Sequence, residues 1–306
     1  MKVAVTGATG FVGRRLVQRL LQDGHSVVVL TRGGDRARQM FPAGLFPECD
    51  IVTYSPLQSG DWQRVIDGCD GVVNLAGAPI AENRWTAARK REILDSREGG
   101  TQKIVEAITQ ASQPPKVLVN SSAIGYYGSS ETATFDETSA AGNDFLAEVC
   151  QKWEAAANQV NPNTRLVILR TGIVLGQGGG ALDKMLTPFR MFAGGPLGSG
   201  RQWFSWIHLD DLVELIIQAL TNNQYQGIYN ATAPKPVRMS EFCDVLGQVI
   251  GRPSWLPVPD FALEALLGDA AAVVLEGQEV QPKRTLAAGF SYQYGDAKSA
   301  LKQLLD

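Results

Sequence analysis

The chain is poor in the residues that build metal centres and disulfide frameworks. It has two histidines and four cysteines among 306 residues, and no two cysteines have the close spacing that zinc sites use. We therefore expect no metal site, and we expect reduced thiols of the kind found in cytoplasmic proteins. The cysteines are Cys49, Cys69, Cys150 and Cys243.

Long apolar runs and an excess of positive charge are also absent. No apolar run approaches the roughly 20 residues of a membrane span, and the first residues show no basic-then-apolar leader. The formal net charge is −3, whereas general nucleic-acid and membrane-surface binders need a basic face. We predict a cytoplasmic protein that binds a small molecule rather than nucleic acid or membrane.

Glycines are plentiful, and three of them form a recognisable pattern near the start of the chain. Residues 3–5 predict a buried strand, residues 16–21 have helical spacing, and Gly7, Gly10 and Gly13 lie between them. Strand, glycine turn and helix together are typical of a dinucleotide-binding site. Gly7 permits a tight turn, Gly10 lets the backbone approach a pyrophosphate, and Gly13 lets the helix pack closely on the strand. The pyrophosphate would lie on the free N–H groups that begin the helix.

The second predicted strand covers residues 26–30, and the segment that follows it indicates which dinucleotide binds. An acidic residue there binds the free ribose hydroxyl of NAD, whereas an arginine accommodates the 2′-phosphate of NADP. Arg32 occupies this position, and Arg36 and Arg38 add positive charge, so we predict NADP(H). Two alternatives remain open: Asp35 binds the ribose and the cofactor is NAD, or the arginines are only a solvated loop.

Strands and helices alternate along residues 1–171. This alternation predicts an α/β fold with a Rossmann-like, doubly wound parallel sheet that binds ligands beyond the C-terminal ends of its strands. We predict an NADP-binding domain over 1–171, completed by a strand near 227–231, and a smaller C-terminal substrate lobe from 172–226 and 232–306. The other predicted strands are 49–54, 71–77, 116–120 and 165–170, and the longer predicted helices are 86–111 and 144–157.

Further short motifs follow one another along nearly the whole chain. They are Asn74-Leu-Ala-Gly-Ala-Pro-Ile80, Arg84-Trp85, Ser96-Arg97, Gly125-Tyr-Tyr-Gly128, Trp153-Glu154, Gly194 to Gln202, Trp206-Ile-His208 and Pro282 to Phe290. In this order they resemble the atypical, extended short-chain dehydrogenase/reductases of the NAD(P)-dependent epimerase/dehydratase superfamily. The similar branch is the "epimerase family", which is also labelled sugar-nucleotide epimerase or cell-division inhibitor.

The resemblance implies a set of cofactor contacts. The glycine turn would hold the pyrophosphate, Arg32 the 2′-phosphate, and Leu75 and Ala76 the adenosine side, with three charged helical residues near the cofactor. The small Gly77 leaves room for the cofactor to pass over the end of the fourth strand. Glu92 could instead belong to a solvated helix face, and Glu154 could pair with Lys152 or another exposed charge. The full set is Gly7, Thr9, Gly10, Phe11, Val12, Arg32, Leu75, Ala76, Gly77, Glu92, Arg97 and Glu154.

The catalytic groups of the superfamily are missing at the matching positions. Its members use a serine or threonine at the end of the fifth strand, and a tyrosine and a lysine four residues apart on the next helix. Matching the motifs places Ala123, Leu146 and Cys150 at these three positions. Leucine transfers no proton, and a helical cysteine is more often a small buried apolar group.

Three hydroxyls remain near the expected nicotinamide position: Ser122, Tyr126 and Tyr127. One tyrosine could act as the acid beside a positive group such as Arg97, or one tyrosine packs in the core and the other closes the turn. We therefore predict an NADP(H)-dependent oxidoreductase acting on a small carbonyl or alcohol, as a monomer or homodimer. The alternatives are a non-catalytic NADP(H)-responsive regulatory protein and a sugar-nucleotide epimerase.

The aromatic segment near residue 204 bears on the epimerase alternative. Sugar-nucleotide enzymes place an arginine that grips the substrate diphosphate where this chain has Phe204. Phe204, together with Trp203 and Trp206, predicts either an aromatic pocket or the seam between two lobes. We expect residues 208–211 to be structural, with a carboxylate capping the helix predicted at 212–220.

Overall fold

The computed structural model describes residues 1–305 and is built around one parallel sheet. The strands are β1 (Lys2–Thr6), β2 (Ser26–Thr31), β3 (Cys49–Thr53), β4 (Gly71–Asn74), β5 (Val117–Ala123), β6 (Thr134–Phe135), β7 (Arg165–Thr171), β8 (Ile173–Leu175), β9 (Trp203–Phe204), β10 (Trp206–His208), β11 (Gly227–Ala231), β12 (Val237–Arg238) and β13 (Glu279–Val280). The α-helices are α1 (Phe11–Gln22), α2 (Gly34–Met40), α3 (Ala87–Gln110), α4 (Phe145–Ala157), α5 (Gly180–Arg190), α6 (Leu209–Thr221), α7 (Met239–Ile250), α8 (Asp260–Leu267), α9 (Ala272–Leu275), α10 (Lys283–Ala287) and α11 (Ala297–Leu305). Short 3₁₀ helices span Asp61–Ile66, Ile124–Tyr127 and Gly268–Ala271.

The central sheet has seven strands in the order β11-β7-β5-β4-β1-β2-β3, and all neighbours pair in parallel. The chain winds outward from β1 in one direction and then, from β4, in the other. The order therefore reverses between β1 and β4, and ligands of such sheets bind at this switch point. The predicted doubly wound α/β fold is confirmed.

Successive residues of β1 face the two helical layers that cover the sheet. Val3 and Val5 belong to the same buried cluster as Leu16 of α1 and Leu212 of α6, whereas Ala4 packs in the cluster on the α3 side. Both faces are buried, which explains why the strands are runs of valine, isoleucine and leucine rather than alternating sequences. This double burial fixes where the strand ends, and hence the site, lie.

The two long helices α3 and α4 begin within one residue of their predicted starts, and a side chain caps each of them. Thr86 accepts a hydrogen bond from the Arg89 N–H at 3.2 Å, and Asp144 accepts one from the Ala147 N–H at 2.9 Å. Such side-chain oxygens satisfy the donors that a helix N-terminus leaves free. The observed α3 and α4 therefore agree with the predicted 86–111 and 144–157 to within one residue.

The cap of α6 differs from the prediction. This helix begins at Leu209, and its cap is the His208 imidazole, whose Nδ1 accepts from the Asp210 N–H at 3.1 Å. The buried Asp211 carboxylate instead accepts hydrogen bonds from the N–H groups of Gln293 and Tyr294. The expectation of a carboxylate cap was wrong because Asp211 is used to fix a later segment, 82 residues along the chain.

The C-terminal part of the chain has its own apolar cluster. Trp206 is fully buried, and Phe204 packs against Phe242 with ring centroids 4.3 Å apart. These aromatics form core and do not line the groove described below, which supports the packing alternative over an aromatic pocket. β11 (Gly227–Ala231) returns to the main sheet beside β7, while the division into lobes at residue 171 stays a prediction.

Candidate functional site

The glycine turn brings the first strand and the end of β4 into direct contact. Gly7 has φ +66°, and a Cβ there would lie 2.8 Å from the Leu75 carbonyl carbon. A Cβ on Gly13 would lie 2.7 Å from Ala8 Cα and still closer to the Gly7 oxygen. Each glycine is therefore required by a backbone approach that no side chain permits.

The start of α1 presents free backbone donors. Its N-cap is Gly10, which has no side chain to cap the helix, so the first N–H groups, from Phe11 and Val12, have no partner within the helix. The Phe11 ring packs against the loop that contains Gly176 and Gly179. There a Cβ on Gly176 or Gly179 would lie 2.8–2.9 Å from the ring. The backbone donors and the helix dipole favour an anion at this end.

A groove of about 1080 Å³ runs from this turn across the ends of the strands. Its volume suits a large ligand, because small-molecule pockets span roughly 300–1,000 Å³. Of the predicted cofactor contacts, Val12, Arg97 and Glu154 do not line it. The predicted residues that do line it are Gly7, Thr9, Gly10, Phe11, Arg32, Leu75, Ala76, Gly77 and Glu92.

The far end of the groove is positive. Arg32 and Arg36 both line it, whereas the Asp35 carboxylate pairs with exposed Arg38 at 3.0 Å and has 99% of its side chain in solvent. Burial raises the pKa of the neighbouring Tyr54 to about 12, although the Arg32 charge acts in the opposite sense. Asp35 is thus outside the groove, and the arrangement favours a phosphate over a free ribose hydroxyl.

A buried polar network holds the end of β4 in place. The Thr6 hydroxyl donates to Asn74 Oδ1 at 2.7 Å and accepts from the N–H groups of Leu75 and Ala76. Asn74 Nδ2 donates to Thr101 Oγ1 at 2.9 Å and to Asn120 Oδ1 at 2.7 Å. Thr6, Thr101 and Asn120 were not among the predicted site residues. A polar residue in an otherwise apolar strand was a signal for Thr6 and Asn120, whereas Thr101 lies in α3 and had no such signal.

A second buried network lies under the end of β5. Glu154 accepts two hydrogen bonds from Arg170, both at 2.8 Å, and one from the Ser122 hydroxyl at 2.6 Å. Lys152, which was one alternative partner for Glu154, pairs with Glu148 at 2.7 Å. Glu154 therefore binds a buried cation that the sequence analysis did not identify. Ser122 is 3% exposed, and its proton is directed to this carboxylate.

The two adjacent tyrosines have different environments. Tyr127 is buried, donates to Asn230 Oδ1 at 2.7 Å and accepts from Arg170 at 3.1 Å. Burial raises its pKa to about 12. Tyr126 is partly exposed, and its ring centre lies 3.3 Å from the Arg170 guanidinium carbon. The positive group beside these tyrosines is thus Arg170, where the sequence analysis had offered Arg97 as an example.

Leu146 and Cys150 of α4 face the segment that follows β5. A Cβ on Gly125 would lie 3.3 Å from Leu146 Cβ and 4.0 Å from Cys150 Sγ, and the Cys150 thiol lies 3.7 Å from the Ala123 oxygen. Burial raises the pKa of Cys150 to about 11, so the thiol stays protonated at neutral pH. Leu146 has no proton to transfer, and neither residue provides the tyrosine and lysine pair that the superfamily uses.

Comparison with known proteins defines the class. Residues 3–232 match the NAD dependent epimerase/dehydratase family, and residues 258–304 match a domain of unknown function, DUF1731. The chain therefore belongs to the NAD dependent epimerase/dehydratase family, and the predicted resemblance is confirmed. Within the family it is similar to "Epimerase family protein SDR39U1 homolog, chloroplastic" of Arabidopsis thaliana, with 54% identity over 307 residues, 100% of this chain and 87% of the relative.

Solved structures agree with this assignment. The crystal structure of human epimerase family protein SDR39U1 (isoform 2) with NADPH has a TM-score of 0.89 and 40% identity, and the match covers 99% of each chain. UDP-glucuronic acid 4-epimerase from Bacillus cereus has a TM-score of 0.81 at 18% identity over 99% of this chain and 98% of that one. The second comparison shows a common fold alone.

Two further findings concern residues 1–305. No group of three or more histidine, cysteine, aspartate or glutamate side chains in this stretch is arranged to hold a metal ion. None of its helices is both long and apolar enough to cross a membrane. A cytoplasmic location stays a prediction, since the plant relative is named as chloroplastic.

Proposed function

We propose that the protein binds NADP(H) along the groove and is an oxidoreductase acting on a small, partly apolar carbonyl or alcohol. The N–H groups at the start of α1 would hold the pyrophosphate, and Arg32 and Arg36 would hold the 2′-phosphate. Leu75 and Ala76 would lie against the adenosine side. The bound nicotinamide supplies hydride transfer, while the protein supplies orientation and electrostatics.

One observation carries the cofactor proposal: the two ends of a single groove both attract phosphate. The glycine turn leaves room for backbone approach at one end, and two arginines line the other while Asp35 points to solvent. The human relative crystallised with NADPH supports the same assignment.

Tyr126 is the proposed proton donor. Ser122 and Tyr127 use their hydroxyl protons within buried hydrogen bonds, whereas Tyr126 is partly exposed and held by the Arg170 guanidinium. In this role the Tyr126 hydroxyl would give its proton to the substrate oxygen. Positioned proton donors contribute typically 10²–10⁴-fold in rate.

The cofactor proposal is tested by reversing one charge. Arg32→Glu should weaken NADPH binding about 10- to 100-fold, because hydrogen bonds to charged groups contribute about 1.5–3 kcal/mol, while NADH binding changes little. Arg38→Glu makes the same change in charge outside the groove and should leave the NADPH/NADH preference intact. If Arg32→Glu still binds NADPH as tightly and still prefers it to NADH, the proposal is wrong.

A second candidate is a non-catalytic NADP(H)-responsive protein. The observation that favours it is that Leu146 and Cys150 face the segment after β5 where the superfamily has its tyrosine and lysine. Turnover of NADPH with a broad carbonyl panel would exclude it. Absence of turnover, together with different affinities for NADPH and NADP⁺ and a partner bound in only one state, would favour it. No structural observation favours the sugar-nucleotide epimerase alternative.

A further inference from the structure

One wall of the groove is formed by a single face of α3. The residues that line this wall are spaced three and four positions apart along the helix, so they project to the same side. Arg91 is the cation among them, and it is exposed. The full set is Ala87, Ala88, Arg91, Glu92, Asp95 and Ser96. A long, positively charged side chain therefore stands at the edge of the groove.

Arg91 forms no ion pair within residues 1–305. The neighbouring acid Glu92 is already bound by Arg89 at 2.6 Å. Asp95 lies four residues further along the same face of α3, a spacing that permits helical ion pairs, yet it does not pair with Arg91. The Arg91 guanidinium is therefore available to a ligand in the groove that it lines.

Arg91 and the pair Arg32 and Arg36 reach the groove from opposite helical layers. The helix α2, which carries Arg36, packs through Ala37 in the buried cluster on the α1 side of the sheet. The helix α3 packs through Ile104 in the cluster on the other side. The groove crosses the strand ends between these two layers, so a ligand in it has cations on both sides.

The negative charge of NADP(H) exceeds what Arg32 and Arg36 can neutralise. A phosphate monoester carries about −1.5 to −2 near neutral pH, which these two arginines match. Each phosphate of the pyrophosphate adds a further negative charge, whereas the start of α1 offers only roughly half a positive charge. Glu82 and Asp95 also line the groove, so its α3 side would repel the cofactor if Arg91 did not compensate them.

We propose that Arg91 binds a phosphate group of the cofactor from the α3 side of the groove. The proposal rests on the proposed function and adds to it a third phosphate-binding arginine, opposite Arg32 and Arg36. The charge balance favours the pyrophosphate, because the 2′-phosphate already has two arginines. Arginine suits this task, since its planar guanidinium donates two parallel hydrogen bonds to phosphate oxygens.

The test measures the dissociation constants of NADPH and NADH for the full chain by calorimetry. In Arg91→Gln both constants should rise by the same factor, about 5- to 20-fold, between the contribution of an exposed ion pair and that of a buried charged hydrogen bond. Glutamine is a good helix former, so α3 is retained. Arg91→Lys keeps the charge and should recover most of the affinity.

Lys90→Gln is the matched control. It removes a charge from the same helical turn, but Lys90 pairs with Asp269 at 2.8 Å and does not line the groove. Both dissociation constants should therefore stay within about twofold of wild type, since solvent and salt screen a charge outside the groove.

Each other result has a defined meaning. A rise confined to NADPH keeps Arg91 as a phosphate-binding residue and assigns it to the 2′-phosphate, which NADH lacks. Unchanged constants for both cofactors in Arg91→Gln, or an equal rise in Lys90→Gln, overturn the proposal. Failure of wild type to bind NADPH overturns the proposed function itself, which distinguishes the two failures.

Discussion

Glu154 and Arg170 form a bidentate ion pair beneath the end of the sheet, with both nitrogen–oxygen distances at 2.8 Å. Their side chains are 7% and 2% exposed. Burial alone would lower the pKa of Arg170, but the hydrogen bonds and charge of Glu154 raise it above its ordinary value. The same guanidinium contacts Tyr126 and Tyr127, so the pair fixes the segment that carries the proposed proton donor.

Removing one member of this pair should destabilise the fold strongly. We expect Arg170→Met to lower the free energy of unfolding by about 3–5 kcal/mol, because it leaves the Glu154 carboxylate buried without its cation. The double variant Glu154→Leu/Arg170→Met should lose less. Urea unfolding at pH 7 measures both, and exposed Lys152→Ala is the control that should barely move the midpoint. A single variant no worse than that control would contradict the prediction.

Two glycine-to-alanine variants separate the effect of a close backbone approach from the effect of chain flexibility. Gly13→Ala should lower the free energy of unfolding by about 1–3 kcal/mol and abolish NADPH binding, because its Cβ would overlap the turn that begins with Gly7. Gly100→Ala lies inside α3 with nothing within 4 Å of the new Cβ. It should stabilise the protein by roughly 0.5–1 kcal/mol. Thermal unfolding and NADPH titration of both variants check the contrast, and equal behaviour would refute it.

Sequence reasoning predicted the features that depend on neighbouring residues. The glycine turn, the valine-rich strands and the starts of α3 and α4 are all encoded within a few positions, so their structures follow from local geometry. Arg32 was predicted because the residue after the second strand has a defined place in this fold. The fold class and the outline of the groove were therefore within reach of the sequence.

The buried polar networks could not be derived in the same way. Glu154 and Arg170 come from a helix and a strand, and neither position shows which of the many opposite charges it will meet. A charged residue near the end of the apolar run Arg165–Thr171 was the available signal, because a cation in a doubly covered strand requires a buried partner. The identity of that partner depends on how α4 packs against β5.

His208 should make stability depend on pH. Its Nδ1 accepts the capping hydrogen bond from Asp210, and its Nε2 lies 2.9 Å from Gln303 Oε1, so the neutral imidazole is the form that fits. Burial lowers its pKa below 6.5. The unfolded chain then binds more protons, so this stabilisation is complete above about pH 6.5 and is lost as the pH falls towards the folded-state pKa.

Comparison with His208→Asn isolates this contribution. Asparagine caps helices well but does not titrate, so the loss of stability between pH 7.5 and 5.5 should be smaller in the variant than in wild type. Urea unfolding across this range provides the measurement. Parallel curves for the two proteins would show that His208 is protonated equally easily in both states, contrary to the prediction.

Removing the hydroxyl should lower the stability of the fold at Tyr127 and the rate of carbonyl reduction at Tyr126. Tyr127→Phe leaves Asn230 Oδ1 and an Arg170 N–H without their buried partner, so the free energy of unfolding should fall by about 1–3 kcal/mol. Tyr126→Phe keeps the ring against Arg170 and should change stability by less than roughly 0.5 kcal/mol. If Tyr126 donates the proton, the same variant should lower carbonyl reduction about 10²–10⁴-fold while NADPH still binds. Single-turnover kinetics with NADPH, measured beside urea unfolding, separate the two effects, because a purely structural Tyr126 would leave the rate of folded protein unchanged.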